Sequence, residues 1–147
     1  MYRKTKIKIM DFIKQFHSGW AYLVILMGVI FIVSTLIYAI SKNQTTPSLR
    51  KIGLVTTIVF HVQLLIGLIF YIMKFTALEP SNIMSDPALR LTFVEHPMMM
   101  IAGVVFMTIA NAKLKRSPIV KMNVVIFAII GLACILSRIP YDIWLSK

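Results

Sequence analysis

Residues 91–103 read LTFVEHPMMMIAG, which sets Glu95, His96 and Pro97 at the mouth of an apolar run and follows them with three methionines. The chain has three histidines, His17, His61 and His96, and each falls in or at the edge of such a run. An ionisable side chain inside a bilayer costs roughly 2.5–3.5 kcal/mol on insertion scales, so it is expected where it has a function or a partner. Imidazole can ligate a transition metal, shuttle a proton or donate a hydrogen bond. What it does here depends on which of these side chains can meet.

Depth along each run gives a first answer. Counting ~1.5 Å per helical residue from the level of Lys14, Lys74 and Arg90 puts His17 ~5 Å, His96 ~9 Å and His61 ~20 Å deep. His17 and His96 therefore share a level, on the first and third apolar runs. Two imidazoles facing each other across a bundle suit a b-type haem, with one nitrogen on each axial side of the iron. His61 is displaced by ~10 Å from His96 and joins them only if a helix tilts. Gln63 points to a different face from His61. The fourth run ends in SRIPYDIW on the same side, so Arg138 can pair with Glu95 or hold a haem propionate through two parallel hydrogen bonds. The candidate cofactor-binding set is thus His17, His96, His61, Arg138 and Glu95, with His17 and His96 as iron ligands.

His96, Met99, Met100, Gly103 and Met107 fall at i, i+3, i+4, i+7 and i+11, one face of a helix. Imidazole and thioether together suit Cu(I), so Met99 and Met100 with His96 form an alternative copper site in a copper-handling or oxidase-assembly factor. The same stripe also reads as packing, with methionine filling an irregular core and glycine allowing a close helix contact. A third reading has no cofactor: an accessory subunit whose histidines and Glu95–Arg138 pair lock the bundle.

These residues sit on elements dictated by composition. Of 147 residues, 59% are hydrophobic and 14% charged. Four continuous apolar stretches, about 17–40, 52–73, 91–110 and 122–142, approach the ~20 residues that cross a bilayer as helix. Lipid tolerates only helices or closed barrels, and continuous runs exclude the ten-residue alternation of a barrel. The expected fold is all-α, a transmembrane four-helix bundle running up-down-up-down, in one membrane domain behind a basic tail, 1–14. Thr46-Pro47 and Ser85-Asp86-Pro87 write a cap followed by a first-turn proline, so the second and third helices start there. If the third helix begins at Pro87, Pro97 is an interior kink that frees the Phe93 carbonyl; otherwise Pro97 marks the helix start.

The net charge of +11 comes mostly from loops and tail, where Lys and Arg anchor spans at the head groups, and it reads as interfacial anchoring rather than nucleic-acid binding. The only cysteine, Cys134, lies in the fourth span, without a thiol metal motif. The N-terminal run is too long and lacks a small-residue cleavage site, so it reads as a retained span rather than a signal peptide. Arg3, Lys4, Lys6, Lys8, Lys14, Lys74, Arg90, Arg138 and Lys147 fall on one side, nine against seven for Lys42, Arg50, Lys51, Lys113, Lys115, Arg116 and Lys121. With translation from Met10 the first side drops to five, which tilts both termini to the non-cytoplasmic side. No hydrolase set, HExxH zinc motif or phosphate-binding glycine loop occurs, and four spans without broken-helix pairs argue against the common transporter folds. An electron carrier or accessory protein fits better than a stand-alone enzyme.

The strings HSGWAYLV (17–24), HVQLLIGLIFY (61–71), DPALRLTFVEHPMMMIA (86–102) and LSRIPYDIWL (136–145) together resemble a family of small four-span bacterial inner-membrane proteins loosely labelled "cytochrome b". The resemblance runs through all four spans in order. It implies that His17, His61, Glu95, His96, Arg138 and Pro140 match the family's polar positions, and that the first and third loops are basic. It departs in the long basic tail and in Ala21, where many relatives carry Arg. The partners expected are the lipid bilayer, a membrane respiratory or assembly complex, and a second copy of the chain.

Overall fold

The computed structural model describes Tyr2 to Leu145, with side chains from Ile7 onward except Ile143; the side chains of Arg3, Lys4 and Lys6, and Lys147 as a whole, lie outside the described residues. α1 spans Tyr2–Ile40, α2 Pro47–Leu78, α3 Pro87–Arg116, α4 Met122–Ser137 and α5 Tyr141–Leu145. Among the described residues there is no strand, and the protein is an all-α helical bundle.

α1 runs unbroken for 39 residues, because its sequence has no proline and its Lys/Ile-rich first turns contain no breaker. At ~1.5 Å per residue this is about 58 Å, nearly twice the hydrocarbon core. From Tyr2 to Lys14 the basic segment is therefore the first part of a helix that outruns the bilayer. α2 starts as its sequence dictates: Thr46 Oγ1 accepts from the Leu49 N–H at 3.2 Å, and Pro47 occupies the first position. Its end is set by Glu79 in the left-handed region, φ 41°, whose N–H reaches the Phe75 carbonyl.

α3 begins at Pro87, with Asp86 Oδ1 accepting from the N–H groups of Ala88 (2.8 Å) and Leu89 (3.0 Å). Pro97 is consequently an interior proline. It lacks an N–H, and its ring collides with the carbonyl four residues back. The helix answers by widening into a π turn over Leu91–Glu95, closed by the His96 N–H on the Leu91 carbonyl. α4 is shorter than the span 122–142 expected from hydropathy. It stops at Ser137 because Pro140 disfavours helical geometry at Ile139, and α5 follows after the break.

Among the described residues three helices are long and apolar enough to cross a membrane, Ile7–Ile40, Pro47–Leu78 and Pro87–Arg116, with α4 a shorter apolar helix beside them. The main packing contacts run α1–α2, α2–α3, α3–α4 and α4–α1, so α1 and α3 lie diagonally across the bundle. Phe31, Phe60, Met107, Leu114 and Val124 are buried along its axis. Leu26, Val33, Leu54, Ile58, Leu65 and Ile126 face outward, the apolar exterior of an integral membrane protein. α3 and α4 cross closely at Gly103 and Gly131: a Cβ on Gly103 would stand 2.8 Å from the Gly131 carbonyl oxygen. The loops after α1 and α3 are tied at one end of the bundle, through Thr45 N–H to Pro118 O (2.8 Å), Val120 N–H to Asn43 O (3.2 Å) and Thr45 Oγ1 to Ser117 O (2.7 Å).

Candidate functional site

At the opposite end, a cavity of about 600 Å³ opens between α1, α2, α3 and the chain that leaves α4. Each helix contributes one face. Lys14, His17, Ser18 and Ala21 from α1, and Gln63, Gly67, Phe70 and Lys74 from α2, recur at helical spacing along the lining. α3 supplies Phe93, His96 and Met100, and the break after α4 supplies Ile139 and Pro140.

The cavity brings His17 and His96 together. Their ring centroids are 6.3 Å apart and their planes cross at 83°. The His96 Nδ1 lies 2.8 Å from the Arg138 carbonyl oxygen. A carbonyl only accepts, so Nδ1 carries a proton, and in the neutral ring Nε2 then keeps its lone pair. That carbonyl is free because the helix ends at Ser137, three residues before Pro140. His17 packs against α2 where Gly67 has no side chain; a Cβ there would stand 2.9 Å from the His17 Cε1. Gln63 Nε2 donates to the His17 backbone carbonyl at 3.0 Å, and Trp144 Nε1 donates to the Ser18 carbonyl at 3.2 Å. The His17 Nδ1 and the Gln63 Oε1 are buried and have no hydrogen-bond partner, an unusual state for polar atoms in a folded chain.

Glu95 stands beside the cavity rather than on its lining. The ion pair with Arg138 forms, Nε to Oε2 at 3.3 Å, and a second pair joins Arg90 Nε to Glu95 Oε1 at 3.0 Å. Neither pair is sealed from solvent: the side chains of Arg138, Arg90 and Glu95 are 53%, 39% and 31% exposed. Arg138 therefore reaches His96 through its backbone, while its guanidinium is turned to Glu95.

His61 is not brought to this site. It is exposed on the outer face of α2, with its Nδ1 2.8 Å from the Thr57 carbonyl oxygen one turn back. The reason is phase, since α2 turns the Gln63, Gly67 and Lys74 face inward and His61 lies off it. The methionine stripe divides. Met100 lines the cavity, Met99 does not, Met107 is fully buried in the core, and Gly103 makes the close crossing with α4. Among the described residues no group of three or more His, Cys, Asp or Glu side chains is poised around a metal.

Sequence reasoning missed Gln63, Gly67, Lys74 and Trp144. The first three carried a readable signal, a spacing of four and then seven along one face of α2. Trp144 carried none, because its position depends on the break at Pro140. No family model, curated protein or solved structure matches the chain, which leaves the geometry of the His17–His96 cavity as the guide to its function.

Proposed function

We propose that this integral membrane protein is a b-type haem protein, serving electron transfer or haem handling, in which His17 and His96 would hold the iron. The observation that carries the reading is the pair of imidazoles 6.3 Å apart, from diagonal helices, on one apolar cavity. His17 and His96 would hold the iron between their rings, whose centroids are 6.3 Å apart. The cavity volume falls within the ~300–1,000 Å³ typical of cofactor sites. The Arg138 carbonyl would orient His96 and fix its tautomer, as outer hydrogen bonds do for metal-ligating histidines. The orphaned Nδ1 of His17 fits a side chain whose full set of partners includes a ligand. Haem bound there would supply a one-electron carrier. The chain's own part would be to hold both rings, exclude water with the surrounding apolar side chains, and keep Nε2 of His96 unprotonated.

We further infer a bacterial inner-membrane location with both termini outside the cytoplasm. Lys42, Arg50, Lys51, Lys113, Lys115, Arg116 and Lys121 concentrate in the two short tied loops and the adjoining helix ends, and basic residues of short loops are the ones that the positive-inside rule weighs. A respiratory or assembly complex is the natural partner for such a carrier. One observation favours a second reading: Met100 shares the cavity with both histidines, a donor set suited to Cu(I).

The deciding experiment is the absorption spectrum of purified protein after haem reconstitution, oxidised and reduced. A split low-spin b-type spectrum in the wild type, lost in both His17→Ala and His96→Ala, is expected. A wild type that takes up no haem sinks the reading. Stoichiometric Cu(I) binding, lost in Met100→Leu, would move the assignment to copper.

A further inference from the structure

Lys14 and Lys74 approach the same cavity from α1 and α2, at the end where His17 and His96 also lie. The ammonium of Lys74 stands 5.5 Å from the centre of the Phe93 ring, which holds a half-buried cation against the cavity wall. Lys14 is one helical turn before His17, on the face of α1 that lines the cavity.

Neither lysine makes an ion pair among the described residues. The nearby carboxylates are largely committed elsewhere. Glu95 is shared between Arg90 and Arg138, and Asp86 caps α3. Asp11 is the single acid on the lining, three residues before Lys14 and without an ion pair of its own. Two cations against one acid leave this end of an otherwise apolar cavity with an excess positive charge. Lys74 is partly buried and Lys14 exposed at the mouth, so a ligand that carries negative charge at one end of an apolar body would meet both ammonium groups as its body enters the cavity.

We propose that Lys14 and Lys74 are the anion clamp of the cavity and bind the carboxylates of its ligand, which on the haem reading above are the propionates. The clamp rests on that reading for the identity of the ligand, but on the two lysines for the position of its charged end. It also takes the propionate role away from Arg138, whose guanidinium is engaged by Glu95 and lies off the lining.

The test uses full-length protein in detergent, reconstituted with haem or with haem dimethyl ester, and follows release to a haem scavenger alongside the optical spectrum. In Lys14→Ala/Lys74→Ala the low-spin spectrum should stay at the wild-type position while haem leaves faster, by about tenfold for each charge-assisted hydrogen bond removed. Lys14→Arg/Lys74→Arg should restore slow release, and Lys121→Ala, at the opposite end of the bundle and off the lining, should leave the release rate unchanged. The dimethyl ester, which has no carboxylates, should leave wild type and the alanine variant at similar rates. If wild type shows the bis-histidine spectrum but the alanine variant holds haem as long as wild type does, the clamp is wrong and the haem reading stands. If wild type takes up no haem, both are overturned.

Discussion

Replacing Gly103 with alanine probes the closest approach in the bundle. The new Cβ would lie 2.8 Å from the Gly131 carbonyl oxygen and 2.5 Å from Ile135 Cγ1, against ordinary contacts beginning at 3.4 Å. Ile135 can rotate, but the carbonyl belongs to the backbone of α4. Relief therefore requires α3 and α4 to part by 0.6 Å, the difference between 3.4 and 2.8 Å. Overpacking of this kind costs about 1–3 kcal/mol, and alanine returns about 0.5–1 kcal/mol through its better helix propensity. Taking the middle of each range, the net loss is about 1.3 kcal/mol, a fall in melting temperature of about 3–5 °C for a chain of this size. Thermal melting in detergent, followed by helical circular dichroism, reads it directly. Gly19→Ala is the matched control, because nothing lies within 4 Å of the Cβ it would add, and it should melt at or slightly above wild type. Trimming Ile135 to valine in the Gly103→Ala background should recover only part of the loss. A Gly103→Ala protein that melts with wild type would refute the argument, since two backbones cannot both be in contact and have room.

Two further outcomes follow from the site. Glu95→Gln removes the charge from both ion pairs, and because all three partners are partly exposed the loss should be about 0.5–1.5 kcal/mol and shrink in high salt; a salt-independent loss of about 3–5 kcal/mol would mean a sealed pair instead. Pro140→Ala should let α4 continue through Arg138 and Ile139 and draw the Arg138 carbonyl into the helix, so nitrogen NMR of His96 should move from the Nδ1–H form to a tautomer mixture, and an unchanged spectrum would count against the role given to that break.

The architecture was legible where physics acts locally. Apolar run length announced the helices, and the caps at Thr46 and Asp86 gave the starts of α2 and α3 to the residue. Depth counting identified His17 and His96 as levelled, because rise per residue is nearly constant in a helix. What it could not supply was rotation. His61 and Gln63 are two residues apart and both polar, and only packing against α1 decides that Gln63 faces inward. The site's hydrogen bonds were hidden for another reason: His96 meets the backbone of Arg138, and a backbone acceptor has no residue type to read. The Arg90–Glu95 pair was hidden too. Helical side chains meet at three and four residues apart, and a spacing of five works here only because the backbone has widened between them.

That widened turn also fixes the phase of everything before it. An extra residue in one turn offsets the preceding segment by about 100° relative to an uninterrupted helix. The stretch His96–Arg116 thus keeps its register with α4, while Phe93 is free to reach the rings of Tyr71 and Phe75 on α2, at 5.8 and 5.7 Å. A single-residue deletion within 91–95 would leave the inner packing of α3 intact yet swing its entry segment around the axis, carrying Arg90 away from Glu95. Length, at this one place in the chain, is therefore constrained more tightly than composition.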